Sequence, residues 1–176
     1  MLSAVSRFIL YSLLLVLLSA CSAYSPTIPK IALKGYTPRQ VLVTEIKSGR
    51  TETLVWQVVM QPQGDSLRWL RFNLLGAPDA RQILENGQWR NEGFIWPNPE
   101  ARELFTALLV VWTNPTDFAQ AYPSLSYTGY RFKDLWTLKE NGKLRWTITW
   151  QDGLNQADSF SITDHNSGTI WQVRPL

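Results

Sequence analysis

Leu144, Trp146, Ile148 and Trp150 alternate with Arg145, Thr147 and Thr149, the cleanest period-two stretch in the chain. A helix repeats every 3.6 residues and a strand every two. This run therefore demands a β-strand with one greasy face, and a lone strand cannot bury that face. It needs partners, and the sequence supplies them. Asn141-Gly142 precedes the run, and Asn86-Gly87 stands between two other strand-like stretches at 81–85 and 88–95. Asn-Gly is the dipeptide that two-residue hairpins favour. Strands are further expected at 40–46, at 54–60 with Leu54, Trp56, Val58 and Met60 on one face, and at 67–74. In this last strand Leu70, Phe72 and Leu74 share one face, and Trp69, Arg71 and Asn73 the other. Turns fall at 62–65, at 152–153 and at 165–168, and strands continue at 130–139, around Phe160 and Ile162, and at 169–174.

One segment breaks the pattern. Asn98-Pro99-Glu100 offers an N-cap, a proline at the first helical position and an acid in the first turn. Ala101, Leu104, Phe105, Leu108, Leu109 and Trp112 then follow helical spacing, so a helix is expected over 99–112, with a short second turn through Ala121. The fold class is mainly β with α: an antiparallel open half-barrel whose concave side is covered by a central helix.

The N-terminus reads as an address. Residues 1–20 hold no acid and one base, Arg7, followed by an apolar run over 8–18. Eleven helical residues reach about 16 Å, short of a hydrocarbon core of about 30 Å. A basic start, a short apolar run and small residues make an export signal. Leu18-Ser19-Ala20-Cys21 resembles the bacterial lipobox, which implies that Cys21 is acylated after cleavage before it. Ser22 in place of Asp implies, by the same resemblance, the outer membrane and its periplasmic face. The domain organisation is then a lipoprotein signal peptide at 1–20, a lipidated tether at 21–38 with Pro26, Pro29 and Pro38, and one domain at 39–176.

Composition excludes several classes. With one Cys and one His among 176 residues, neither a disulfide framework nor a usual structural zinc site can be built. A net charge of +3, dispersed along the chain, gives no nucleic-acid footprint. His165 sits in a Gly-containing turn, where a solvated side chain is expected. The acids Asp79, Glu85, Asp134 and Asp164 show no paired spacing and are expected to be solvated. No nucleophile elbow or phosphate loop occurs. The expectation is no enzyme, no cofactor and no metal site.

The nine Trp remain. Leu54, Trp56, Val58, Met60, Phe72, Leu104, Leu108, Trp112, Leu144, Trp146, Ile148 and Trp150 either line a half-open hydrophobic pocket under the helix or make the solid core of a small barrel. Both need the same alternation.

Lipobox, tether, hairpin, central helix and further strands follow the order of the LolA/LolB-like lipoprotein carriers and acceptors, which the chain resembles. The local match is Gln61-Pro62-Gln63-Gly64-Asp65 followed by Asn73-Leu74-Leu75-Gly76, where Leu74 stands in place of the family's Pro. The resemblance implies a membrane-touching loop at Leu74 and Leu75, with Leu75 at its tip. It further implies acyl or lipoprotein cargo and a periplasmic LolA-like carrier as partner. The chain also resembles small LolB-like lipoproteins associated with aryl-polyene biosynthesis, which implies a polyene guest. The rival expectation is a non-enzymatic lipoprotein scaffold that docks partner proteins.

Overall fold

Both Asn-Gly pairs turn hairpins. Asn86 and Gly87 adopt φ of 51° and 68°, and Asn141 and Gly142 adopt 50° and 80°. Two successive left-handed residues match the twist of the strands they join. In the computed structural model, which describes residues 27–33, 35–129, 135–150 and 159–176, ten strands result. They are β1 (Arg39–Lys47), β2 (Thr53–Gln63), β3 (Ser66–Asn73), β4 (Pro78–Glu85), β5 (Gln88–Asn91), β6 (Leu125–Gly129), β7 (Leu135–Glu140), β8 (Lys143–Trp150), β9 (Phe160–Asp164) and β10 (Thr169–Pro175). Helix α1 (Pro99–Trp112) and the short α2 (Phe118–Ala121) lie between β5 and β6.

The strands form one antiparallel sheet in the order β5-β4-β3-β2-β1-β10-β9-β8-β7-β6. The chain meanders from the centre to one edge, crosses through the helices, and meanders back from the other edge until β10 pairs with β1. The sheet is open: β5 and β6 are its two unpaired edges.

The sheet curls around α1. Five inter-strand steps separate β3 from β8, about 24 Å in a flat sheet, and a helix is only about 10–12 Å across. Yet α1 reaches both strands. Phe105 and Trp112 stack on Trp69 of β3 at 5.2 and 5.7 Å between ring centroids, while Glu103 pairs with Arg145 of β8. The residues 104–111 of α1 are buried without a break, the mark of a helix enclosed on all sides.

The outer wall over α1 is a strap formed by residues 27–33 and 35–36. Leu33 is buried, and Ile28, Ile31 and Tyr36 pack against the core. The Lys30 N–H donates to the Ala121 carbonyl at 2.8 Å, and the Tyr36 and Thr113 hydroxyls meet at 2.8 Å. The described part of the expected tether thus packs on the domain through these apolar residues, and residues 21–26 lie outside the described residues. Other expectations shift more modestly. Pro62 and Gln63 lie in β2, opposite Leu67 and Ser66, so only Gly64 and Asp65 turn that hairpin. The strand expected from residue 88 to 95 stops at Asn91, and β6 was not anticipated. The turn at 152–153, Asp134 and the start of the strand at 130 fall outside the described residues, as do the signal at 1–20 and Cys21.

Candidate functional site at one end of the sheet

Strict antiparallel alternation places the β1–β2, β3–β4, β7–β8 and β9–β10 connections at one end of the sheet, together with the exit from β5 and the start of β6. We call this the loop end. Inside it, the concave face becomes charged. Val41 and Val43 of β1 are followed by buried Glu45; Leu67 and Trp69 of β3 by buried Arg71; Phe160 and Ile162 of β9 by buried Asp164. Each strand thus points apolar side chains into its middle and an ionisable one into its loop-end mouth.

Two β-bulges deliver these charges. In β4 Asp79 is the extra residue, since Arg71 pairs with Ala80 and Phe72 with Pro78. In β8 Arg145 is the extra residue, since Leu138 pairs with Trp146 and Lys139 with Leu144. A bulge re-aims the side chain it carries. Arg71 grips Asp79 through Nε at 2.7 Å and through Nη2, lies 3.7 Å from Glu45, and stacks 4.2 Å over the Trp56 ring. The Trp56 Nε1–H donates to Glu45 at 3.1 Å. The Arg145 guanidinium meets Asp164, Glu103 and Glu140 and lies 4.4 Å from the Trp146 ring centroid. Asp164 is 1% exposed and also accepts from the Asn166 N–H and the Ser167 hydroxyl. The expectation of solvated carboxylates is corrected for Asp164, whose burial is compensated by this set of donors. His165 is exposed, as its turn implied, and its Nε2 contacts the Thr147 hydroxyl at 2.8 Å.

Between these networks and the first turn of α1 lies a cleft of about 350 Å³, lined by Glu45, Lys47, Arg50, Glu100, Glu103 and Trp171 among others. Lys47 bridges Glu45 at 3.2 Å and Glu100 at 2.7 Å. Burial works to lower the Lys47 pKa, but its hydrogen bonds to Glu100 and Glu45 outweigh burial and raise it above the ordinary lysine value. The hydrogen bond from Lys47 holds the Glu100 carboxyl below its ordinary value.

None of the twelve residues expected to line an apolar pocket borders this cleft. Val58, Met60, Leu104, Leu108, Trp146, Ile148 and Trp150 are together in the buried core. Trp56 and Trp112 are half-buried at its margin. Three of the twelve are placed differently. Phe72 points to the outer face of β3, because Trp69 and Arg71 take the inner one. Leu144 is 39% exposed, because the bulge at Arg145 flips its direction. Leu54 is 36% exposed at the loop end of β2.

The β3–β4 loop is built to project. The Asn73 side-chain oxygen accepts from the Leu75 N–H at 3.0 Å and the Ala77 N–H at 2.9 Å, and the Gly76 N–H returns to the Asn73 carbonyl at 3.0 Å. Gly76 supplies the φ of 78° that the turn requires. Leu74 and Leu75 are left outside, Leu75 being 93% exposed. Sequence reasoning missed a second apolar projection: Phe94 and Trp96, between β5 and α1, are also outside. Their strand-like surroundings hid them, since alternation alone does not say where β5 stops.

Among the described residues no three His, Cys, Asp or Glu side chains gather to hold a metal, and no helix is long and apolar enough to cross a membrane. The chain matches no protein-family model, and no curated protein matches it at a significant level.

Proposed function

We propose that this is an outer-membrane lipoprotein of LolB-like type, anchored at Cys21 on the periplasmic side. It accepts an acyl- or polyene-bearing guest from a LolA-like carrier and passes it to the bilayer. The observation that carries this reading is the Asn73-braced loop, which keeps Leu74 and Leu75 in water beside a Trp-rich, open-edged sheet. Leu74 and Leu75 are adjacent and project together, and a contiguous exposed apolar patch, unlike a single exposed leucine, supports contact with something apolar. Among the described residues the cleft at the loop end is open to a guest, while most of the twelve-residue apolar set is buried around α1 and would have to part to admit one. A sixteen-carbon tail in water costs on the order of 10 kcal/mol at about 0.8 kcal/mol per CH₂. An acceptor must offset most of that without exceeding what the bilayer offers. Flat indole and leucine surfaces supply area without hydrogen-bond specificity, which suits acyl chains and polyenes alike.

The test is binding followed by delivery. The Cys21→Ser protein titrated with a fluorescent fatty acid should quench Trp emission at micromolar probe. In the lipidated protein, Leu75→Glu should keep binding and lose transfer to acceptor vesicles. Mass spectrometry of the N-terminal cysteine reports the anchor independently. One observation favours a second reading, a lipoprotein scaffold docking other proteins: α1 fills the concavity with Leu104, Phe105 and Leu108 fully buried. An intact fold that binds no probe selects the scaffold.

A further inference from the structure

Six exposed large apolar side chains share the loop end: Leu54, Leu74, Leu75, Phe94, Trp96 and Leu144. At the opposite end the described hairpin tips, Gly64-Asp65 and Asn86-Gly87, are polar, and the exposed large apolar side chains are two, Leu135 and Leu176. Phe94 and Trp96 sit on a segment pinned at both ends to the start of β4. The Glu92 N–H donates to the Arg81 carbonyl at 3.0 Å, and the Glu92 carboxylate is clamped by Arg68 and Arg81. The Asn98 amide donates to Asp79 at 3.0 Å. Asp79 follows Pro78, where the Leu75 loop ends, so the two apolar projections rise from one corner of the sheet.

The chain enters the fold at this same end. Thr27, the first described residue, is buried there and donates its hydroxyl hydrogen bond to Glu140, the last residue of β7 beside the β7–β8 turn. Cys21 lies six residues upstream. Six residues span at most about 20–22 Å when fully extended. An acyl anchor at Cys21 therefore keeps Thr27, and with it the loop end, within that distance of the lipid.

We propose that the loop end rests on the bilayer and that Phe94 and Trp96 insert beside Leu74 and Leu75 as a second membrane contact, fixing the domain upright on its anchor. This rests on the lipid-anchored reading above and adds its orientation. Trp prefers the lipid–water interface, where its ring is half apolar and half wet. The arginines beside this segment, Arg68 and Arg81, are engaged with Glu92, and the exposed cations of the loop end, Arg50 and Lys143, lie at the β1–β2 and β7–β8 connections rather than on this corner. Insertion is therefore apolar, and it should depend little on salt or on anionic lipid.

Trp96 is its own probe. It is 87% exposed, and the other eight Trp are buried or half-buried. The acylated protein is reconstituted in vesicles of phosphatidylcholine or of its brominated analogue. The expected result is a blue shift of the red-edge emission and its quenching by bromines near the headgroup. Trp96→Phe removes the quenched component, and Leu75→Glu weakens it. An acylated, anchored protein whose Trp96 stays open to acrylamide and untouched by bromine overturns the proposal. So does concentration-dependent shielding of Trp96 in the unacylated Cys21→Ser protein without vesicles, which would make a second copy the occupant. A cysteine found unacylated by mass spectrometry removes the anchored reading itself, a distinct failure.

Discussion

Replacing Arg145 by Met should cost the fold roughly 3–5 kcal/mol, the range for removing one partner of a buried ion pair. The reasoning begins at the bulge. Arg145 is the extra residue of β8, turned inward beside Trp146. Its guanidinium is the cation shared by Asp164, Glu103 and Glu140, which belong to β9, α1 and β7. Met fills much of the aliphatic volume but leaves three carboxylates facing one another in a low-dielectric mouth. Asp164 keeps the Asn166 N–H and the Ser167 hydroxyl, which compensate a fraction of a buried charge. For a domain of this size roughly 2–4 °C accompany each kcal/mol, so Tm should fall by roughly 6–20 °C. Urea unfolding of the Cys21→Ser protein, followed by Trp emission, measures the cost directly. Adding Asp164→Asn and Glu103→Gln to Arg145→Met should recover a large part of the loss, because the penalty is uncompensated charge rather than lost packing. A cost of Arg145→Met under about 1 kcal/mol, the value of a surface pair, would refute the account. So would a triple variant less stable than the single one.

Three further outcomes follow from particular contacts. Trp69→Ala, which deletes the ring stacked on Phe105 and Trp112, should cost about 3–5 kcal/mol in the same unfolding assay. Asn98→Ala should cost about 1 kcal/mol for the lost cap on the Ala101 N–H. Asn98→Asp keeps the cap but sets a carboxylate against Asp79, so it should fall with rising pH toward the Ala value. Stability against pH should be flat near neutrality and decline on both sides. Glu100 is held low by Lys47. Glu92 is pushed up by burial but held low overall by Arg68 and Arg81. Their contribution is present above the ordinary carboxylate value of about 4.3 and is lost as pH falls through their depressed folded values. Lys47, with its pKa raised, contributes fully below about 10.4 and loses that contribution as pH rises through the higher folded value. Glu92→Gln should flatten the acid limb in a thermal-melt series.

What could be read from the sequence was the chemistry that acts locally. Asn98 and Pro99 start α1 at the residue expected because capping needs only neighbours three residues away. The Asn-Gly hairpins and the alternation in β8 are equally short-range. What could not be read depends on distant partners. The two faces of β3 were separable, but which one turns inward was not. Arg71 becomes a core residue only when β1 brings Glu45 and the β4 bulge brings Asp79. The bulge at Arg145 has no signature in Leu-Arg-Trp, so Leu144 keeps its place in the alternation while losing its place in the core. Proline spacing at 26–38 looks like a spacer, yet Ile28, Ile31 and Leu33 are the strap over α1. The mature candidate site, a charged mouth between apolar projections, is assembled wholly from such long-range meetings.

The openness of the sheet rests on its two edges, and the β6 edge is the one a single methyl group can test. β5 is shielded: it is four residues long, and the chain leaving it stays bonded to β4 through Glu92. Among the described residues β6 pairs only with β7. Gly129 closes that pairing opposite Trp136 with φ of 90°, and a Cβ there would stand 2.1 Å from the Leu135 carbonyl oxygen, a backbone atom that cannot swing away. Gly129→Ala must therefore part the end of β6 from β7. The strain of a left-handed alanine alone is about 1–2 kcal/mol, and the lost pairing adds to it. Only the far end of β6 is affected, since Leu125 at its other end is buried and its N–H donates to the Tyr122 carbonyl at 3.0 Å. Amide exchange should thus accelerate at Tyr127, Thr128 and Trp136 while β8, β9 and β10 keep their protection. If protection falls instead across the whole sheet, β6 is a cooperative member of the core, and the two edges do not bound an open seam that loosens independently.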